Sequence, residues 1–405
     1  MTSTQSPTRR LFPILLINLT GFAIAIPVLP ALAYALGGTA VDVGMLYAIQ
    51  SLGQFIMAPL WGKMSDRLGR KPILLATFGA AAVMELVTAF VGTLGLLYIT
   101  RFIVGLCAGN VATASALIAD STDDATRSKG MAVIGISFGI GFTLGPAIGA
   151  AVGIVAEPGV AGIAGAGMPF AVAALLNLIT LILGMMWLVE PADDPKKRAA
   201  NRAQRRADSI IQQLRRPPVL ALCALFLFYT IAVTVLESTF FIYMEEIYGY
   251  DIVEVGFLLA AMGLLTALFH ATIHPISRAI GDQNLVLLGV MVLGLSLAIA
   301  PIYPPLWFLL LALSFAAFGR AIVHPGILSL MSTIDPSRDD TGQLMGMLTS
   351  ASSLGRIVGP AAGGIVFAHI SPQAPFHIAG LLLIVTGLLW IVFWRRIQAD
   401  PASNA

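Results

Sequence analysis

A 405-residue chain that is 58% hydrophobic and only 11% charged, with a mean hydropathy of +0.89, cannot cover a soluble fold of this size with polar surface. Its solvent is mostly lipid. A net charge of +2 argues against a nucleic-acid binder. Cys107 and Cys223 both lie in apolar runs and act as small hydrophobes, not as a secreted disulfide framework.

In chain order, run after run reaches the roughly 20 residues that carry a helix across a bilayer. Spans are predicted at 11–33, 43–61, 73–92, 95–119, 130–155, 167–189, 218–244, 253–276, 283–300, 305–332, 342–368 and 375–394. The first follows Arg9 and Arg10, but it is too long for a signal peptide, contains Pro27 and Pro30 and lacks a small-residue cleavage site. It reads as a retained span.

The gap between spans two and three holds the densest charge cluster, Gly62-Lys63-Met64-Ser65-Asp66-Arg67-Leu68-Gly69-Arg70-Lys71-Pro72. Glycines at each end of the cluster permit a tight turn. Asp66 sits close to the start of the third helix, where a carboxylate either caps backbone N–H groups or pairs with Arg on a neighbouring helix.

If the spans alternate from a cytoplasmic N-terminus, every Lys and Arg outside the membrane falls on the cytoplasmic side; of the 23, only Arg101, Arg320 and Arg356 lie within spans. A miscounted helix would scatter positive charge onto both faces, so the positive-inside rule supports twelve spans. The one long polar connection, 191–217, is rich in Lys and Arg and suggests a helix along the cytoplasmic face. It either attracts anionic lipid or is a simple solubilising linker. It divides a six-helix bundle at 1–190 from another at 218–405.

The halves look like repeats. Ser65-Asp66-Arg67-Leu68-Gly69 returns in weakened form as Ser277-Arg278-Ala279-Ile280-Gly281, and the stretch with Gly141, Gly145, Pro146 and Gly149 in span five returns with Gly355, Gly359, Pro360 and Gly363 in span eleven. The offsets are nearly equal, 212 and 214 residues. Small residues four apart let helix backbones approach, and proline removes a backbone hydrogen bond and bends the helix.

The ordered pattern Gly-x-x-x-Asp-Arg-x-Gly-Arg-Lys over residues 62–71 resembles the loop 2–3 signature of the major facilitator superfamily. The Gly141–Gly149 pattern resembles the span-five signature of antiporters in that superfamily, and Arg101 with Gly105 and Gly109 resembles the same branch's span-four motif. Ile26-Pro27-Val28-Leu29-Pro30 and Asp120 fit the twelve-span drug:proton antiporters, including the tetracycline-efflux type. The resemblance implies an all-α integral membrane protein of the major facilitator fold, with twelve transmembrane helices as two six-helix repeats and substrate bound between the halves near the midplane. It further implies a bacterial inner membrane, both termini cytoplasmic, and a monomer. One departure concerns Asn18, which stands in span one where tetracycline exporters carry an acidic residue; tetracycline itself is therefore not the expected substrate.

Ionisable residues within lipid are functional candidates by default. Glu237 is expected to couple protons or contact substrate, or else to make a structural hydrogen bond near the outer rim. A reversible proton carrier needs an acid in a water-poor cavity. Glu85 is a second candidate but lies on a third helix, which is peripheral in this fold, so structural pairing competes. Arg101 is by resemblance a proton-linked gate, or a structural helix tie. Asp66, Asp120 and Arg127, with Gly62, Arg67, Gly69 and Arg70 of the loop, would form a cytoplasmic gate. Arg320 and His324, four residues apart, share a helix face. With Arg356 they suit a carboxylate, phosphate or sulfonate, unless the arginines pair with Glu237 or backbone carbonyls. His270 and His324 are secondary proton carriers, and with His274 they form no recognisable zinc motif.

The expected function is alternating-access antiport of a small amphiphilic organic molecule against protons, with Asn18, Glu237, Arg320, His324 and Arg356 as substrate-contact candidates. The alternative is a carrier of an anionic metabolite or siderophore held by Arg320 and Arg356. No Gly-x-x-x-x-Gly-Lys-Ser/Thr loop is present, so ATP is not expected to drive it; no cofactor is expected. A membrane enzyme or non-transporting receptor would need a catalytic cluster or an appended signalling domain, and the sequence offers neither.

Overall fold

The computed structural model describes residues 7–108, 110–121, 124–156, 165–190, 216–270, 272–333 and 341–399. Every regular element among them is an α-helix: α1 (Pro7–Ala35), α2 (Ala40–Leu68), α3 (Arg70–Ala89), α4 (Leu94–Cys107), α5 (Asn110–Ser121), α6 (Asp124–Gly153), α7 (Met168–Trp187), α8 (Pro217–Tyr248), α9 (Ile252–His270), α10 (Ile273–Ile280), α11 (Asp282–Ile299), α12 (Leu306–Thr333), α13 (Thr341–His369) and α14 (Ala374–Ala399). Eleven of these are long and apolar enough to cross a bilayer. The all-helical membrane fold expected from the sequence is the one observed.

Two predicted spans each cover two described helices. The fourth, 95–119, is described as two helices, α4 and α5, on either side of residue 109, and α4 alone is a shorter apolar helix. The eighth, 253–276, takes in α9 as far as His270 and, beyond residue 271, which lies outside the described residues, the first part of the short α10. The basic connection at 191–215 lies outside the described residues.

Local signals set the helix starts. Thr39 and Asp42 form a reciprocal capping box on α2: Thr39 N–H donates to Asp42 Oδ2 at 2.8 Å, and Asp42 N–H donates to Thr39 Oγ1 at 3.5 Å. Two orphan donors of the first turn are thereby satisfied. Tyr98 of α4 donates to Asp42 Oδ1 at 3.0 Å, which ties the cap to a neighbouring helix.

The chain packs as two compact units, one formed by Met1–Ala192 with Glu237–Leu264, the other by Asp193–Leu236 with Leu265–Ala405. In the first, α1 lies against α6 and α7, α3 against α7, and α2 against α4. Backbone proximity requires glycine at these crossings. A Cβ on Gly145 would stand 2.5 Å from Ala23 Cβ and 2.8 Å from the Thr20 carbonyl oxygen, and one on Gly141 3.1 Å from Leu19. Gly149 is looser, at 3.4 Å from the Ile24 carbonyl. Residues 237–264 join this unit through α9, where a Cβ on Gly256 would stand 2.9 Å from the carbonyl of Pro146 and one on Gly263 2.8 Å from Thr143 Oγ1. Span five thus packs on both its faces, which its repeated glycines indicate only for one.

In the second unit α11 packs between α12 and α14. The glycines of α13 repeat the crossing of the first unit: a Cβ on Gly355 would stand 2.8 Å from Thr230 Cβ, and one on Gly359 2.1 Å from Thr234 Oγ1 and 2.8 Å from the Ile231 carbonyl oxygen. Thr234 also donates to the Gly355 carbonyl at 3.2 Å.

Candidate functional site

The charged loop is shorter than its sequence suggests. Helix α2 continues through Gly62 to Leu68, and the turn is made at Gly69 alone, whose φ of 100° is a left-handed conformation open to glycine. A Cβ on Gly62 would meet nothing within 4 Å, so neither turning nor packing requires that glycine. Arg70 then binds in two directions: its Nε donates to Asp120 Oδ2 at 3.0 Å and an Nη to Ser65 Oγ at 2.6 Å. Arg67 is exposed in the last turn of α2. The side chains of Asp66 and Arg127 lie outside the described residues.

The carboxylate on the first N–H groups of α3 belongs to Glu190. Its two oxygens accept from Arg70 N–H at 2.6 Å and Lys71 N–H at 2.7 Å, a favourable place for negative charge at a helix N-terminus. A Cβ on Gly69 would stand 2.9 Å from Glu190 Cδ. The absent side chain therefore makes room for this cap, which joins the end of α7 to the start of α3. Sequence reading missed Glu190 because it abuts the polar linker.

The second unit repeats the hinge with other chemistry. Gly281 has φ 80° and ψ 154°, close to the 100° and 158° of Gly69. Where Arg70 follows Gly69, Asp282 follows Gly281; it accepts a hydrogen bond from Ser277 Oγ and another from Ser329 Oγ at 2.7 Å. Ser277 corresponds to Ser65.

Glu85 and Arg101 find each other. Arg101, fully buried, donates from Nη2 to Glu85 Oε2 at 2.8 Å and to Thr88 Oγ1 at 2.7 Å, and its guanidinium lies 5.0 Å from the centre of the Phe170 ring. The pair joins α3, α4 and α7. Asn18, also buried, donates to Asn177 Oδ1 at 2.8 Å, and Asn177 donates to the Ala173 carbonyl at 2.9 Å, so α1 is tied to α7. Glu237 is half-buried on α8. Tyr47, which sequence reading did not single out, donates to the Ile26 carbonyl at 2.6 Å and lies within electrostatic reach of both Glu237 and Arg101.

In the second unit Arg320 and His324 on α12 and Arg356 on α13 lie away from the exposed apolar stripes of their helices. On α12 the exposed apolar stripe is Trp307, Leu311 and Phe315; on α13 it is Leu354, Val358 and Ile365. At 3.6 residues per turn, Arg320 and His324 lie roughly half a turn from the first stripe, and Arg356 roughly half a turn from the second. His270, the last residue of α9, lies similarly opposite Leu268 and bonds through Nδ1 to the Thr266 carbonyl at 2.8 Å. Arg356, His324 and His270 are exposed and Arg320 is half-buried. Phe226 of α8 backs the His324 imidazole at 5.4 Å.

The profile of the Major Facilitator Superfamily matches residues 11–336 and 238–405. The chain is 30% identical over 396 residues to the class B tetracycline resistance protein of Escherichia coli, covering 96% of this chain and 92% of that one. It is 23% identical to multidrug resistance protein 2 of Bacillus subtilis (strain 168), over all of both chains. Among solved structures, the human organic anion transporter MFSD10 (TETRAN) is 26% identical with a TM-score of 0.66, covering 95% of this chain and 100% of that one. A bacterial homolog of the human lysosomal transporter Spinster, at 14% identity, has a TM-score of 0.78 over 96% of each chain.

Proposed function

Because this chain belongs to the Major Facilitator Superfamily, a family of multi-pass membrane transporters, we propose that it works by alternating access and exchanges protons for a small amphiphilic organic molecule, which it exports. The reading is carried by the likeness to tetracycline and multidrug resistance proteins along nearly the whole chain. The close α1–α6 crossing at Gly141 and Gly145 accords with it. The functional halves are the six-helix repeats 1–190 and 218–405, joined by the basic linker 191–217. Both termini face the cytoplasm, and Gly69 and Arg70 at the α2–α3 turn, with Asp120 at the end of α5, form the cytoplasmic gate. Glu237 carries the proton, and each ligand shifts the carrier toward the state it binds better.

Reconstitution into proteoliposomes with an internal pH dye tests this directly. Substrate-driven proton movement that Glu237→Gln abolishes is the expected result. Transport without a proton signal removes Glu237 from the mechanism.

A second reading has its own observation. Arg320, His324 and Arg356 lie away from the exposed apolar stripes of their helices, and a guanidinium offers a fixed fork to a carboxylate, phosphate or sulfonate. The likeness to a human organic anion transporter points the same way. Arg356→Gln is expected to abolish transport of organic anions while leaving transport of cationic drugs unchanged; equal loss of both would make the arginine structural.

A further inference from the structure

Gly69 leaves α3 without a cap of its own. The turn needs glycine for its φ of 100°, yet glycine has no side chain to accept the first N–H groups of the helix, which lack intrahelical partners. Glu190, shortly past the end of α7 at Trp187, takes that place: Oε1 accepts from Arg70 N–H at 2.6 Å and Oε2 from Lys71 N–H at 2.7 Å. Lys71 answers in the other direction, its Nζ donating to the Met185 carbonyl in the last turn of α7 at 3.1 Å. Negative charge at the start of α3 and positive charge at the end of α7 both suit the helix dipoles. The two helix ends clasp each other.

The residue held by this clasp also makes the latch to α5. Arg70 Nε donates to Asp120 Oδ2 at 3.0 Å, at the end of α5, and Nη1 donates to Ser65 Oγ at 2.6 Å, in the last turn of α2. Both are directed bonds from a planar fork, so the aim of the fork depends on where the Arg70 backbone is fixed. Glu190 fixes it through the N–H of Arg70 itself.

Resting on the gate reading given above, we infer that Glu190 is a positioning residue of the cytoplasmic gate: by holding the backbone of Arg70 it aims the guanidinium at Asp120, so that the end of α7 sets how firmly the end of α5 is held. Amide hydrogen exchange of the full chain in detergent micelles reads both ends of this linkage. Glu190→Ala is expected to speed exchange at the start of α3, residues 70–76, and also in α5, residues 110–121, by up to about fivefold, the order set by loss of an N-terminal cap. Glu190→Gln, which keeps the size and one acceptor, serves if the first variant misfolds. With Arg70→Gln already in place, the Glu190 change is expected to speed exchange at 70–76 still but to add nothing in α5.

Asp120→Asn tests the gate independently. It is expected to loosen α5 directly and, as the cytoplasmic side opens and the outer side closes, to slow exchange at the outer helix starts, 40–45 and 252–257. Faster exchange in the Glu190 variants that is confined to 70–76 or absent, or a further rise in α5 after Arg70 is replaced, overturns the role of Glu190 and leaves the gate reading standing. Asp120→Asn without the change at the outer helix starts overturns the gate reading and the role of Glu190 with it.

Discussion

Glu85 and Arg101 form an ion pair at 2.8 Å whose side chains are 4% and 0% exposed. Breaking such a pair by removing one partner leaves a buried charge and costs about 3–5 kcal/mol, whereas replacing both partners with apolar groups is often neutral. Glu85→Gln and Arg101→Gln should therefore each lower the unfolding temperature in detergent sharply. The double variant Glu85→Leu with Arg101→Met should recover most of the loss and keep transport. Stability recovered without transport would return Arg101 to the proton-linked gate that its motif suggests.

The Glu190 cap gives a second test, a double-mutant cycle. Losing an N-cap costs about 1 kcal/mol, so Glu190→Ala should destabilise modestly. Gly69→Ala carries two penalties, a left-handed φ and a Cβ placed 2.9 Å from Glu190 Cδ. Only the second vanishes in the Glu190→Ala background. The two changes should thus be less than additive in thermal unfolding, and strict additivity would mean that the contact carries no energy.

What was legible in the sequence divides along the range of the interactions. A span of twenty apolar residues is a local signal, and the helix Leu306–Thr333 follows the predicted 305–332 closely. The glycine repeats were legible too, because close backbone approach demands small residues at fixed spacing. Pairings were not. Glu85 and Arg101 stood out separately as costly charges, yet only the packing of α3 on α4 identifies each as the other's partner. Asn18 stood out as a lone amide in an apolar span, and only the packing of α7 identifies Asn177 as its partner. Glu190 belongs to no pattern, being a lone acid whose role depends on where the end of α7 comes to rest.

Individual glycines of the two crossings differ in how tightly they are packed, and substitutions should rank them. At Gly149 an added methyl meets its nearest neighbour at 3.4 Å, an ordinary contact, but at Gly359 it meets Thr234 Oγ1 at 2.1 Å and a backbone carbonyl at 2.8 Å. Overpacking of this kind typically costs about 1–3 kcal/mol. Gly359→Ala should lower stability and transport well beyond Gly149→Ala. Adding Thr234→Ala should rescue only part of the loss, since removing the hydroxyl leaves the carbonyl of Ile231 in place.

The repeated hinge preserves backbone geometry while reversing charge, and that reversal predicts different sensitivities. Arg70 reaches across to an acid, Asp120, in an ion pair that is partly exposed, at 14% and 33%, and donates to a single serine, Ser65; exposed pairs contribute about 0–1 kcal/mol. Asp282 instead accepts from two serine hydroxyls, Ser277 and Ser329, and hydrogen bonds to a charged group contribute about 1.5–3 kcal/mol each. The short helix α10, with eight residues, is far below the length at which an isolated helix holds itself, so Asp282 is what fastens its end to α11 and α12. Asp282→Ala should accelerate amide exchange across 273–280 and destabilise the protein more than Arg70→Ala does. Asp282→Asn, which keeps hydrogen-bonding atoms but not the charge, should fall between wild type and Asp282→Ala. Equal exchange in all three proteins would show that α10 is held by its apolar contacts alone.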